Sequence, residues 1–197
     1  ENLQQKIAGI SVDQIPWSSI HTLCILGKAD DSCNRALETA HLESGVYINH
    51  NGNWLFLIHM ESAIFQASMD RCRNLLQTLM LYNTNLPYLD ISCLKNLRYL
   101  NIANDSSLST ISSCLPLKYL TEINLTRCSN LTQLPSLNDS TELIKINLFG
   151  CSNLQELPDE VRSLDSLMEL NLSFTHLHNL PDWLPEIAEA FSLSPVW

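Results

Sequence analysis

The histidines and paired carboxylates of this 197-residue chain are the side chains that would serve catalysis or metal binding. His176 and His178 flank one leucine, a spacing that presents both imidazoles outward, but no Cys or carboxylate accompanies them as a further zinc ligand. Adjacent carboxylates such as Asp159 and Glu160 are typical of solvated loops. Neither a Gly-rich phosphate loop nor a nucleophile elbow is present. The sequence therefore predicts a protein without catalytic residues, cofactor or metal.

The seven cysteines point to a role in the core. Cys128 and Cys151 occupy the same place in two nearly identical segments, and Cys93 and Cys114 share another repeated position. An odd count without a C-x-x-C pair favours reduced, buried thiols, although a disulfide between neighbouring repeats remains geometrically open. Reduced thiols favour a cytoplasmic location.

The charge balance excludes some partners. Eleven Lys and Arg against 21 Asp and Glu give a net charge of -10, whereas nucleic acid and anionic membranes select clustered positive charge. No apolar run is long enough to span a bilayer. We therefore expect neither a nucleic-acid nor a membrane partner.

Five N-x-[ST] sequons point the other way, because glycosylation accompanies secretion. They begin at Asn104, Asn124, Asn130, Asn138 and Asn171. A chain rich in Asn, Ser and Thr yields sequons by chance, and Asn124 and Asn171 fall within predicted strands. A secreted location is therefore the alternative to a cytoplasmic one.

These side chains are carried by an internal repeat. Residues 123–135 read INLTRCSNLTQLP and residues 146–158 read INLFGCSNLQELP. Both fit the template L-x-x-L-x-L-x-x-C-x-x-L-x-x-L-P. Five units fit it at a nearly constant interval, starting at Leu76, Leu97, Leu120, Leu143 and Leu167. This pattern and interval are those of the leucine-rich repeat.

The repeat predicts the fold. One unit cannot cover its apolar face, so stacked units bury a continuous column of Leu and Ile, each worth roughly 1.5–3 kcal/mol. We expect an α/β repeat solenoid, a leucine-rich-repeat horseshoe with a parallel β-sheet on its concave face.

The regular units span residues 76–183. Residues 1–75 are predicted to form irregular repeats or a cap, with an insertion near 27–53 that is partly helical. Strands are expected at Ile20, Leu23 and Ile25, and at Leu55, Ile58 and Met60, the latter one repeat length before Leu76. Residues 184–197 are predicted to close the array as a C-terminal cap or tail, with helical spacing of apolar residues.

The residues between the repeat leucines are expected to face the concave surface. One position is asparagine in four successive units: Asn101, Asn124, Asn147 and Asn171. This row serves either as a structural ladder of hydrogen bonds or as a polar stripe for a partner's backbone.

Larger side chains lie beside the asparagine row. Exposed aromatic and Arg residues are typical of binding hot spots, although single exposed aromatics are ordinary. The predicted partner-binding residues are Tyr82, Arg98, Tyr99, Glu122, Arg127, Lys145, Phe149, Glu169 and Phe174.

The repeats also resemble a known family. LKNLRYLNIAND (residues 94–105), the two CSNLxxLP units and LPDEVRSLDSLMELNLSFTHLHNLP (residues 157–181) are similar to the leucine-rich-repeat domain of plant intracellular nucleotide-binding immune receptors. The resemblance covers roughly residues 70–184. It implies a role in plant defense: binding a pathogen effector, or autoinhibition by packing on the receptor's own nucleotide-binding domain. No phosphate loop of that domain is present in this chain.

Two other functions remain open. A free-standing or secreted leucine-rich-repeat binding protein, either a receptor ectodomain or a pathogen-derived protein, is the main alternative. A substrate adaptor for protein degradation is the weaker one.

Overall fold

The computed structural model of the chain describes residues 20, 22–26, 45–48, 54–58, 69, 71–177, 182 and 192–194. The predicted helical parts of the insertion and of the C-terminal cap lie outside these residues. The described strands are β1 (Thr22–Leu26), β2 (Gly45–Ile48), β3 (Trp54–Ile58), β4 (Thr78–Tyr82), β5 (Tyr88–Asp90), β6 (Tyr99–Ala103), β7 (Thr110–Ser112), β8 (Glu122–Asn124), β9 (Lys145–Asn147), β10 (Glu169–Asn171) and β11 (Ser192–Ser194).

The chain is a β-solenoid of parallel strands. Within the described residues, nine strands form one sheet in the order β11-β10-β9-β8-β6-β4-β1-β3-β2. Every pairing in this sheet is parallel except that of β2 with β3. Each step from β4 to β10 follows the chain, since each unit adds one strand to the sheet.

The leucines of the repeat form the core. In each regular unit the strand alternates between partly exposed side chains and one or two buried Leu or Ile side chains. Leu120, Ile123 and Leu125 are 0% exposed, and the same positions of the next unit repeat this. Period-2 alternation therefore turns the leucines inward and leaves the residues between them on the outer face of the sheet.

The return segments differ from unit to unit. β5 and β7 pair in a second, two-stranded parallel sheet, which is extended by a bridge from Thr110 to Gln133. The unit that starts at Leu143 instead returns through a 3₁₀ helix, Asp159–Ser163, which buries Val161. Helix is scarce in the described residues, so they show a solenoid that is largely β.

The order of the first strands differs from the prediction. A strand one repeat length before Leu76 should neighbour β4, but β1 occupies that place and β3 lies beyond it. Leu55 pairs with Leu23 and Leu57 with Ile25, so the strand is centred on Phe56 and the predicted phase of Leu55 and Ile58 is wrong. Met60 lies outside the described residues. β1 pairs with both β3 and β4, so this register aligns Leu55 and Leu57 with the core positions of β4.

Both ends of the chain contribute further strands. β2 lies within the predicted insertion and adds an antiparallel edge strand to β3. At the other end, β11 lies within the predicted cap and pairs in parallel with β10.

Candidate protein-recognition site

Strand register arranges the outer face of the large sheet in rows. Tyr99, Glu122, Lys145 and Glu169 are successive partners across β6, β8, β9 and β10. Two residues further along each strand, the four asparagines form the predicted row. The register therefore brings side chains from successive repeat units, far apart in sequence, to neighbouring positions.

The first row carries paired charges. The Lys145 ammonium lies 2.9 Å from a Glu169 carboxylate oxygen. A hydrogen bond and the opposite charge of Glu169 raise the pKa of Lys145, and the carboxylate of Glu122 acts in the same direction. The predicted binding residues Glu122, Lys145 and Glu169 thus form one partly neutralised strip.

Arg98 directly precedes β6 and is also paired. Its guanidinium is 3.7 Å from Glu142 and stands over the ring of Tyr119, 5.8 Å from the centroid. Tyr99, the next residue, is 46% exposed. Arg98 therefore contacts Tyr119 and Glu142, two residues that were not among the predicted binding residues.

The asparagine row ends the strands. The side-chain oxygens of Asn124, Asn147 and Asn171 accept the backbone N–H of the residue two positions later, at 3.2, 3.1 and 3.0 Å. This local bond competes with continued strand pairing, and β8, β9 and β10 are each three residues long.

Two of the asparagines also donate hydrogen bonds to the preceding repeat. The Nδ2 group of Asn147 donates to Thr126 Oγ1 at 3.2 Å, and that of Asn101 donates to the Tyr82 hydroxyl at 3.1 Å. These contacts account for most of the polar groups in the row. They favour the structural alternative, with the hydroxyls of Thr126 and Tyr82 as links.

Each unit turns through a left-handed residue after its strand. The five residues at this position have φ between 51° and 74°: Asn83, Asn104, Arg127, Gly150 and Phe174. The N–H of each of the first four donates to a carbonyl of the next unit, at 3.2, 2.9, 2.6 and 2.9 Å. Asn and Gly adopt this conformation readily, whereas Arg and Phe do so at a cost.

The two costly residues belong to one exposed cluster, in which both contact Phe149. The Arg127 guanidinium stands over the Phe149 ring, 6.0 Å from its centroid, and the Phe149 and Phe174 rings pack edge to face at 5.1 Å. Phe174 is 57% exposed. We call Arg127, Phe149 and Phe174 the aromatic–arginine cluster. Three residues that repeat phase assigned to one binding face are thus connected by side-chain contacts.

Gly150 makes room for this cluster. A Cβ atom at Gly150 would lie 3.3 Å from Cγ and 3.5 Å from Cα of Arg127. A glycine in this unit therefore satisfies the left-handed turn and also lets the Arg127 side chain pass over the backbone toward Phe149.

Of the predicted binding residues, Tyr82 lies away from this cluster, on β4. Its hydroxyl is hydrogen-bonded to Asn101. Burial is the main cause that raises the pKa of Tyr82, and the nearby Cys24 acts in the same direction. Two exposed apolar residues were missed: Ile144 is 44% and Met168 64% exposed, and the Met168 N–H donates to the Ile144 carbonyl. Both directly follow the first leucine of a unit, which is the signal that would have found them.

The cysteine position of the template is buried in four units. Cys128 and Cys151 are free thiols that donate to carbonyls of the preceding unit, and burial raises the pKa of each to about 12. Asp105 is 1% exposed and accepts hydrogen bonds from Thr84 and from the Ser107 N–H. Thr175 donates to the Leu172 carbonyl. In each of these four units, the side chain at this position is polar and forms a hydrogen bond that holds the turn in place.

A polar cavity of about 400 Å³ lies on the return side. It is lined by polar side chains from three units: Thr132, Ser152, Asn153, Gln155 and His176. The Nδ1 atom of His176 is 2.9 Å from the Ser152 carbonyl oxygen, so this histidine is tied to the neighbouring repeat. His178 is outside the described residues.

Neither a metal site nor a membrane span is found in the part of the chain that the structure describes. No group of three His, Cys, Asp or Glu side chains there has the arrangement to hold a metal ion. No described helix combines the length and the apolar character that crossing a bilayer requires. Comparison with protein-family models, curated proteins and solved structures found no match.

Proposed function

We propose that this chain is a leucine-rich-repeat array that recognises a partner protein through the aromatic–arginine cluster. The observation that carries the proposal is the presence of Arg127 and Phe174 at left-handed positions. A left-handed conformation costs such residues about 1–2 kcal/mol each relative to residues that tolerate it. Asn83, Asn104 and Gly150 fill the same position without that cost.

Folding alone does not account for these two residues. Phe174 leaves more than half of its surface in water, so its burial contributes little to the core. Strained residues that are retained on a surface are common at functional sites. Exposed aromatic and arginine side chains in contact are also the composition of interface hot spots.

The leucine-rich-repeat assignment rests on the spacing of the units. Five units recur at a nearly constant interval, and each adds a short parallel strand with inward leucines. We propose that the sheet forms the concave face of a horseshoe, on which the cluster, the charged strip and the asparagine row lie side by side.

The resemblance of the repeats supports a cellular context. We propose that the chain belongs to a cytoplasmic plant immune receptor, in which it senses a pathogen effector or packs on the nucleotide-binding domain. Sequencing the native transcript upstream of the Glu1 codon tests this context. A phosphate-loop domain is expected there, and a signal peptide would replace this context with a secreted binding protein.

Recognition by the cluster is tested with affinity capture from tissue that expresses the chain. Wild-type protein is compared with the double variant Phe149→Ser/Phe174→Asn, and bound proteins are quantified by mass spectrometry. The matched control is Tyr88→Ser, which removes an exposed aromatic from β5 in the other sheet.

We expect at least one captured protein to be lost with the double variant and kept with the control. Folding of each variant is checked by thermal unfolding. If the folded double variant captured the same proteins as wild type, the cluster would not be part of the binding site.

A further inference from the structure

We propose that the aromatic–arginine cluster binds a carboxylate that stands beside an apolar side chain of the partner protein. This inference rests on the proposed function and specifies the chemistry of the partner. It starts from the three cations among the predicted binding residues: Arg98, Arg127 and Lys145.

Two of these cations are already neutralised. Lys145 pairs with Glu169 at 2.9 Å, and Arg98 pairs with Glu142 at 3.7 Å. Within the described residues Arg127 has no carboxylate partner, and its guanidinium stands over the face of Phe149. The cluster thus presents an exposed guanidinium that pairs with no carboxylate of the described part of the chain.

The position of Arg127 suits a carboxylate. A guanidinium over a ring keeps its planar edge of N–H donors available, and that edge matches the two oxygens of a carboxylate. The backbone N–H of Arg127 donates to the Phe149 carbonyl at 2.6 Å. This hydrogen bond holds the turn that carries the Arg127 side chain before a ligand arrives, which lowers the entropic cost of binding.

The neighbouring ring defines the second half of the ligand. The Arg127 guanidinium and the exposed Phe174 ring both contact Phe149, so apolar ring surface continues from the cation into the next repeat units. An apolar side chain beside the carboxylate can pack on this ring surface, where its burial adds to the affinity. The net charge of -10 repels acidic segments at long range, so the affinity for a carboxylate has to come from the local pair with Arg127.

The test uses phage display of short randomised peptides, panned on the wild-type chain. Enriched peptides are synthesised, and their dissociation constants are measured by fluorescence polarisation. The same measurements use Arg127→Gln, which keeps Cγ and the left-handed backbone but removes the charge, and Phe174→Asn. Lys95→Gln removes an exposed cation outside the cluster and serves as the control.

We expect the enriched peptides to carry Asp or Glu beside an apolar residue. Changing that acid to its amide and changing Arg127 to Gln should each weaken binding about tenfold or more, as for charge-assisted pairs at interfaces. The two changes together should weaken it no further than one alone, and Lys95→Gln should leave it unchanged.

Other outcomes separate the two proposals. Peptides that need Phe174 but lack a carboxylate, or that bind Arg127→Gln as well as wild type, overturn this inference and leave the proposed function standing. Panning that yields no peptide sensitive to cluster substitutions overturns both.

Discussion

The Sγ atom of Cys151 lies 3.0 Å from the carbonyl oxygen of Leu125, so a buried thiol of one repeat donates a hydrogen bond to the preceding repeat. Cys128 makes the equivalent bond to Ile102 at 3.5 Å. The two thiols occupy the same position in successive units, just after the left-handed turn. Each donates its hydrogen bond to a carbonyl at or next to the end of the preceding unit's strand. The cysteines thus join neighbouring repeats without a covalent link.

Cys151→Ala should destabilise the array. It removes the donor of a buried carbonyl and leaves a small void, which together lower the free energy of unfolding by about 1–3 kcal/mol. Chemical denaturation of the variant and of Cys114→Ala, an exposed cysteine, measures the difference. Equal stability of Cys151→Ala and wild type would show that the thiol bond is dispensable.

Stability should fall in alkaline solution. Burial raises the pKa of Cys24, Cys128 and Cys151 from 9.0 to about 12. Between these values the unfolded chain loses thiol protons that the folded chain keeps, so the free energy of unfolding decreases as pH rises from 9 towards 12. Below pH 9 these groups contribute no pH dependence.

Denaturant unfolding at several pH values measures this slope. Cys151→Ser is the matched comparison, because its hydroxyl does not ionise in this range. The variant should lose less stability than wild type between pH 9 and pH 11. Parallel curves for the two proteins would contradict the assignment of the slope to the buried thiols.

Gly150→Ala should destabilise the chain and disturb the cluster. The backbone has φ +74°, and the new methyl group would meet Arg127 Cγ at 3.3 Å. We expect a loss of about 1–2 kcal/mol from the left-handed conformation, with an added loss from crowding. The double variant with Arg127→Ala, which lacks Cγ, should recover the crowding part in a double-mutant cycle, and strict additivity would argue against the contact.

Phe174→Asn and Phe174→Ala should differ in stability. Both lose the ring contact with Phe149, worth about 0.5–1.5 kcal/mol beyond burial. Asn relieves the cost of the left-handed backbone, whereas Ala keeps most of it. The Asn variant should therefore stay within about 1 kcal/mol of wild type and unfold at a higher denaturant concentration than the Ala variant. If the Ala variant were more stable than the Asn variant, backbone strain at Phe174 would no longer support a functional role for this residue.

Repeat spacing was sufficient to predict the stacked parallel strands and the identity of the core. A unit of nearly constant length returns the chain to the same place, and inward leucines then stack on those of the previous unit. This is why Leu120, Ile123 and Leu125 could be assigned to the core before any coordinates. The spacing failed for β3, because a single irregular strand has no second copy to set its phase.

The contacts of the candidate site depend on the folded chain. Repeat phase placed Arg127, Phe149 and Phe174 on one side of the sheet, but their meeting requires the left-handed turn at Arg127 and the missing side chain of Gly150. The pairing of Arg98 with Glu142 likewise spans two units. Periodicity determines backbone register, whereas turn conformation and side-chain direction depend on neighbours that only stacking brings together.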